Sequence, residues 1–288
     1  MKEIDYAAPA TLTEATAMLA RNGAKALAGG TDIIVQVREN RRDAEVLVDL
    51  KKVPELNTLR FDAGEGLILG AAVPCYRVAE HPDVWQRYPG LADAVALIGG
   101  VQIQSRASVG GNLCNASPAA DSIPALIALG AEAVIATPAD THRTVPVESF
   151  CTAPGRTLLG PGEVLVHLHL PPPAANSGSA YLRFIPRNEM DIAVVGVGAS
   201  VTLDGDKVKA ARISLGAVAA TPLLASKAAD ALVGKKLDDA ALEASGHAAS
   251  AICKPIDDMR GTIDFRVHVT GVLARRALTI AAERAKKI

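Results

Sequence analysis

The sequence predicts an α+β fold in three lobes, and three observations carry that prediction. Residues 1–55 alternate helix and strand signals around an Ala-Gly-Gly turn. Residues 56–173 mix a hairpin, short helices and further strands, and close on the proline run Pro171-Pro172-Pro173. Residues 178–288 open with long strands and finish in helices, the separated order expected of an α+β lobe. A chain of 288 residues is long enough for such a division.

In the first lobe, Thr11-Leu-Thr-Glu14 reads as a capping box that starts a helix, and Gly23 as its stop. Lys25-Ala-Leu-Ala28 is a strand leading into Gly29-Gly30, after which Thr31 or Asp32 can cap a second helix. Glu45–Leu50 is another strand. The second lobe opens with a hairpin: Asn57–Phe61, a turn at Ala63–Gly66, then Leu67–Gly70. Val73–Glu80 reads as strand end and helix start, and residues 90–98 as a helix. Gly99-Gly100 and a second glycine loop follow. Ile123–Leu129 is a short helix, Ala133–Ala136 a strand, and Val164–Leu170 the closing strand. Pro171–Ser179 is the linker, because its prolines cannot continue a sheet. Strands are expected at Ala180–Pro186, Ile192–Leu203 and Val208–Ala217, the last two joined by a turn at Asp204–Lys207. Helices are expected at Leu223–Val233, Ala240–Cys253 and Asp264–Arg284.

Composition excludes several classes. A formal charge of −1 argues against nucleic acid, which requires a basic face. No apolar run approaches the roughly 18 residues of a membrane span. The opening Met1–Tyr6 has no apolar core of the secretory type, so the expected location is the cytoplasm. Cys75, Cys114, Cys151 and Cys253 are scattered, without the short spacings of an iron–sulfur or zinc site. His167 and His169 share one face of a strand, too few for a metal without a third ligand. There is no Gly-x-Gly-x-x-Gly, no P-loop and no Gly-x-Ser-x-Gly elbow.

Two glycine segments carry the chemistry: Ala28-Gly-Gly-Thr-Asp32 and Ser108-Val-Gly-Gly-Asn112. The second continues through Asn115 and Ser117 to Asp121. Glycines let backbone N–H groups approach a ligand closely, and successive N–H groups make concavities for anionic oxygens such as a pyrophosphate. The surrounding hydroxyl and amide side chains can bond a ribityl or ribose chain. Two such segments suggest one extended, phosphate-bearing ligand held from both sides, and FAD fits that description.

These segments resemble the two FAD-binding motifs of the molybdenum hydroxylase flavoproteins: the medium subunits of carbon monoxide dehydrogenases and the flavin domains of xanthine dehydrogenases. The resemblance covers nearly the whole chain, and Val-Gly-Gly-Asn-(x)5-Pro-(x)2-Asp carries most of it. It implies a two-lobe FAD-binding domain of the PCMH/VAO type (residues 1–55 and 56–173), followed by a C-terminal α+β lobe (178–288). It implies non-covalent FAD lined by Ala28, Gly29, Gly30, Thr31, Asp32 and Ile33 on one side, and by Ser108, Gly110, Gly111, Asn112 and Asn115 on the other. Asp121 would bond a ribityl or adenosine hydroxyl; its alternative role is to cap the Ile123 helix. Tyr181-Leu-Arg-Phe-Ile-Pro-Arg187 with Asp191-Ile-Ala-Val194 resembles the family's third-lobe motif. There Arg187 and Asp191 would face the flavin, or else form a structural pair between lobes. One departure stands out: relatives read Ile-Arg-Asn where this chain has Ile103-Gln104-Ser105.

The function implied is an FAD-carrying electron-transfer subunit of a heterotrimeric oxidoreductase. It would take single electrons from the iron–sulfur clusters of a small [2Fe-2S] partner and pass them to NAD, oxygen or a quinone. Molybdopterin would sit on a large partner subunit, and the assembly would be a dimer of heterotrimers. No catalytic side chain is expected on this chain. Two alternatives compete: a stand-alone FAD oxidoreductase of the same fold, and a non-catalytic assembly subunit.

Overall fold

The computed structural model describes residues 3–188 and 190–287; the first two residues of the opening read above lie outside the described residues. Strand β1 (Asp5–Ala7), helix α1 (Leu12–Leu19), β2 (Ala24–Leu27), α2 (Ile33–Arg38) and β3 (Val46–Asp49) form the first unit. Its sheet is parallel in the order β1-β3-β2. Thr11 caps α1 by accepting from the Glu14 amide at 3.2 Å, and Glu14 reaches back to the Ala10 amide at 3.0 Å. This is the reciprocal bonding expected of a capping box, displaced by one residue on the return.

The middle of the chain comprises β4 (Leu59–Asp62), β5 (Gly66–Gly70), α3 (Cys75–Ala79), α4 (Pro82–Arg87), α5 (Pro89–Val95), α6 (Val101–Gln104), α7 (Val109–Asn115), α8 (Ser122–Ala128), β6 (Glu132–Ala136), β7 (His142–Pro146), β8 (Cys151–Ala153), β9 (Arg156–Thr157) and β10 (Val164–Leu170). Five of these strands make an antiparallel sheet, β4-β5-β10-β6-β7, with the apolar strand β10 at its centre. Leu67, Leu69, Leu165, Leu168 and Leu170 pack from this sheet against Leu91, Leu113, Ile123 and Leu126 of the helices. A smaller core joins the two units: Ala15, Val48 and Val53 meet Leu56, Ala72, Val164 and Val166. The first unit is therefore seated on β10.

The third part has β11 (Ser177–Phe184), β12 (Val195–Asp204), β13 (Lys207–Gly216), β14 (Leu223–Leu224), α9 (Ser226–Asp230), α10 (Asp239–Ser250) and α11 (Ile263–Ala285). Its antiparallel sheet runs in that strand order, and α11 packs on it through Leu273, Ala277, Leu278 and Ala281. Residues 223–233 were expected to be one helix. Instead Leu223 and Leu224 pair with Leu215 and Ser214 as an edge strand, because half-burying two leucines beside β13 outweighs their helix preference. Arg284 of α11 clamps Asp93 of α5 with two bonds of 2.6 and 3.0 Å, and Arg212 of β13 pairs with Glu148 at 2.9 Å. These pairs tie the last part to the middle. Among the described residues no helix is long and apolar enough to cross a membrane.

Candidate functional site

The first glycine turn is fixed from below by a charged tether. Tyr6 donates its hydroxyl to Asp49 Oδ2 at 2.6 Å, Lys51 Nζ pairs with Asp49 Oδ1 at 2.7 Å, and the same Nζ donates to the Ala28 carbonyl at 2.9 Å. Burial raises the Asp49 carboxyl, but the bonds from Lys51 and Tyr6 outweigh it and hold the group below the usual range. Gly29 lies against the backbone of the second segment, where a Cβ would stand 2.0 Å from the Arg106 carbonyl oxygen. Gly30 has φ +82, a conformation that favours glycine. Asp32 precedes α2 as expected of a cap, yet its side chain makes no capping bond. Its backbone is already helical (φ −105, ψ −54), so the carboxylate cannot swing over the first turn. Burial pushes this carboxyl up, with Arg41 pulling it down.

The second segment is not the loop that its glycines suggested. Val109–Asn115 is α7, and neither Gly110 nor Gly111 has a positive φ. Ser108 caps it, accepting from the Gly111 amide at 3.0 Å, while Val109 and Leu113 are buried in the core. The cap and the buried face override the poor helix propensity of a glycine pair. Gly110 is required for packing: a Cβ there would lie 2.5 Å from the Ala71 Cα. The left-handed residue is Ala116, φ +50, which ends the helix.

A cleft of about 590 Å³ opens between these two segments, within the roughly 300–1,000 Å³ of small-molecule sites. Ala28, Gly29, Gly30, Thr31, Asp32 and Ile33 line it from one side, and Ser108, Gly110, Gly111, Asn112 and Asn115 from the other. Asp121 and Asp191 also line it; Arg187 does not. Gln36 of α2 bridges the walls, donating to Asn115 Oδ1 at 2.9 Å, and Ser122 donates to Asn112 Oδ1 at 2.6 Å. Both asparagines thus spend their oxygens on the protein and keep their amide N–H groups as donors. Apolar residues complete the walls, among them Leu50, Leu56, Ile98, Ile103, Leu159 and Leu165. Except for Ile103, which stands in the Ile103-Gln104-Ser105 segment noted above, they come from segments with no motif of their own, so the sequence reading missed them as lining residues. Lys51 and Gln36 were missed for the same reason.

Asp121 does not cap α8. Its two oxygens accept from the Tyr181 hydroxyl at 2.8 Å and from Arg183 Nη1 at 2.7 Å, both on β11. Burial pushes its carboxyl up to about 6 against the pull of Arg183 and Tyr181. Asp121–Arg183 is therefore an ion pair between the middle and the last part of the chain, where Arg187–Asp191 was the pair expected. Arg187 and Asp191 lie 3.7 Å apart within one segment of the third part, and Arg260 approaches Asp191 from the other side at 3.9 Å. The Arg187 side chain is 69% exposed and also donates to the Met190 carbonyl at 2.6 Å.

The cleft suits FAD on its own chemistry. Glycines permit close backbone approach, amide and hydroxyl groups suit a polyol chain, and apolar walls suit flat rings. Fold and cleft together define a nucleotide-cofactor-binding α+β protein. Comparison with known proteins carries this further. Residues 2–173 match the FAD binding domain in molybdopterin dehydrogenase, and residues 180–281 the CO dehydrogenase flavoprotein C-terminal domain. The carbon monoxide dehydrogenase medium chain of Hydrogenophaga pseudoflava is 33% identical over 97% of both chains. The putative xanthine dehydrogenase FAD-binding subunit of Escherichia coli K12 is 31% identical over 97% of this chain and 96% of its own. A solved carbon monoxide dehydrogenase from H. pseudoflava, lacking the Mo-pyranopterin moiety, superposes with a TM-score of 0.94 at 34% identity, covering 98% of each chain. The chain belongs to the family of FAD-binding medium subunits of molybdenum hydroxylases. It is an oxidoreductase subunit whose cofactor is FAD.

Proposed function

We propose that this chain is the electron-transfer subunit of its complex, receiving single electrons from the [2Fe-2S] clusters of a small partner and delivering pairs to NAD, oxygen or a quinone. Molybdopterin and substrate oxidation belong to a large partner subunit, the trimers pair into a dimer of heterotrimers, and the complex works in the cytoplasm. Residues 1–55 and 56–173 form the two FAD-binding lobes, and 178–288 the C-terminal lobe. The observation that carries the reading is the convergence on one cleft of two glycine segments far apart in sequence. Bound flavin would supply the conversion between one-electron and two-electron chemistry.

The chain's own residues bind and orient. Backbone N–H groups around Gly29–Thr31 and the start of α7 hold phosphate and polyol oxygens, and Asn112 and Asn115 donate amide bonds to them. Asp191 faces the ring end from the third lobe. No side chain needs to move a proton. Binding without a covalent bond is supported at Cys114, a cleft thiol that burial pushes up to about 12 and so keeps protonated. The test is an absorbance spectrum of the purified chain followed by acid release. Bands near ~370 and ~450 nm with FAD free in the supernatant support the reading. A colourless chain that takes up no added FAD overturns it.

A further inference from the structure

We propose that Asp121 and Arg183 form a switchable counter-charge for the cleft: Asp121 takes up a proton from solvent when the bound flavin gains an electron pair, which unmasks the Arg183 cation. The proposal rests on the electron-transfer reading above and adds the group that balances its charge. Among the described residues four carboxylates line the cleft, and only Asp121 is buried, at 8% exposed. Asp32 is exposed, and Asp191 and Glu163 are half-buried. Glu163 is also locked. Arg143 donates to both its oxygens at 2.8 and 2.6 Å and the Gly160 amide adds a bond of 2.7 Å, which together hold its carboxyl below the usual range.

Asp121 is held more lightly. Each oxygen accepts one bond, from the Tyr181 hydroxyl at 2.8 Å and from Arg183 Nη1 at 2.7 Å. Arg183 is 5% exposed at its side chain, its Nε has no partner, and its one hydrogen bond among the described residues goes to Asp121. Tyr181 remains a donor, because burial raises its phenol well above the ordinary range. The other charges packed around α8 are already matched. Asp93 of α5 is paired with Arg284 of α11, and Arg212 of β13, which bonds Ile127 near the far end of α8, is paired with Glu148. Cys114 of α7 is neutral, its thiol pushed up to about 12 by burial. In the resting cleft Asp121 and Arg183 cancel. An electron pair on the flavin with one proton from solvent leaves one net negative charge in a poorly solvated cleft. A second proton, on an Asp121 oxygen, removes the carboxylate charge and leaves Arg183 to balance the new one. Two electrons and two protons enter in all, and no proton passes from Asp121 to the ring. Burial has already pushed this carboxyl up to about 6 against the pull of Arg183 and Tyr181, so an added anion raises it toward neutral pH.

The experiment measures the flavin midpoint potential against pH, between about 5 and 9, on the flavin-loaded and desalted full chain with redox mediators. It compares the wild type with Asp121→Asn and Tyr181→Phe. The wild type should show a steeper segment that begins at about pH 6, where each electron pair brings in about one extra proton. Asp121→Asn should lack that segment, match the wild type below it and lie at higher potential above it, because the anion is gone. Tyr181→Phe removes a bond to the carboxylate, so the segment should begin at a higher pH. Wild-type and Asp121→Asn profiles that run parallel overturn the proposal and leave the electron-transfer reading intact. If Asp121→Asn loses its flavin, Tyr181→Phe decides, and an unmoved segment overturns the proposal. A wild type that takes up no flavin overturns both.

Discussion

Gln36 donates to Asn115 Oδ1 at 2.9 Å across the cleft, joining the helix after the first glycine turn to the helix that contains the second glycine pair. The bond fixes the spacing of the two walls and turns the Asn115 amide toward the ligand. Gln36→Ala removes the donor without touching either motif. The expected outcome is a three- to tenfold rise in the FAD dissociation constant, the scale of one hydrogen bond of about 1 kcal/mol. Fluorescence titration of the deflavinated chain measures it, and an unchanged constant would show that the walls hold their spacing without this bond.

Gly29 and Gly110 are packing glycines. An added methyl would meet the Arg106 carbonyl at 2.0 Å and the Ala71 backbone at 2.5 Å, neither of which can yield cheaply. Gly29→Ala and Gly110→Ala should each destabilise the chain by about 2–3 kcal/mol. At Gly111 the nearest atom is the Ser108 hydroxyl at 3.0 Å, so Gly111→Ala should cost no more than the cap, about 1 kcal/mol. Urea melts of the three variants should separate into two groups. Equal losses would mean that the close approaches are relaxed elsewhere.

How much of this was legible in the sequence follows from where each signal lives. The Ala28–Ile33 and Ser108–Asn115 segments were legible chiefly through the wider pattern Val-Gly-Gly-Asn-(x)5-Pro-(x)2-Asp, because a glycine pair alone also serves as an ordinary turn or a packing contact. Their conformations were less legible: Gly110 and Gly111 read as a loop, and only the burial of Val109 and Leu113 makes them helix. Lys51 could not be found, because its partner Ala28 is 23 residues away and the link needs the folded sheet. Asp121 was legible as important but not as a partner of Tyr181 and Arg183, since that contact joins two parts of the chain.

Lys51 makes that hidden layer testable. Lys51→Met removes the only side-chain bond to the Ala28 carbonyl among the described residues and leaves the buried Asp49 carboxylate with the Tyr6 hydroxyl and the backbone N–H of residue 51, but no cation. A weakening of FAD binding of about tenfold is expected, with a loss of stability of about 1–3 kcal/mol. Lys51→Arg should recover part of both. Full FAD affinity in Lys51→Met would show that the turn holds itself.

Arg183 is 5% exposed at its side chain and holds Asp121 at 2.7 Å, so Arg183→Met leaves a buried carboxylate with Tyr181 as its remaining partner. Breaking a buried pair from one side costs about 3–5 kcal/mol. Thermal melts should show a lowered midpoint for Arg183→Met, and Asp121→Asn with Arg183→Met should recover part of it, because the double variant buries no unpaired charge. A double variant no better than the single one would place the loss in packing around β11.

His167 gives the fold a pH dependence of defined sign. It lies on β10, opposite Gly70 of β5 and Val134 of β6. Burial lowers its pKa below the ordinary 6.5, and the neighbouring His169, His142 and Arg60 add to the effect. The native ring therefore stays neutral at pH values where the unfolded ring is already protonated. Unfolding takes up a proton in that window, so stability is full above pH 6.5 and falls as the pH drops from there to the lower native value. Below the native value the loss levels off. His167→Gln, neutral throughout, should flatten this part of the profile. Urea melts at half-unit intervals between pH 7.5 and 5 would test it. A profile of the variant that runs parallel to the wild type would assign the slope to another group.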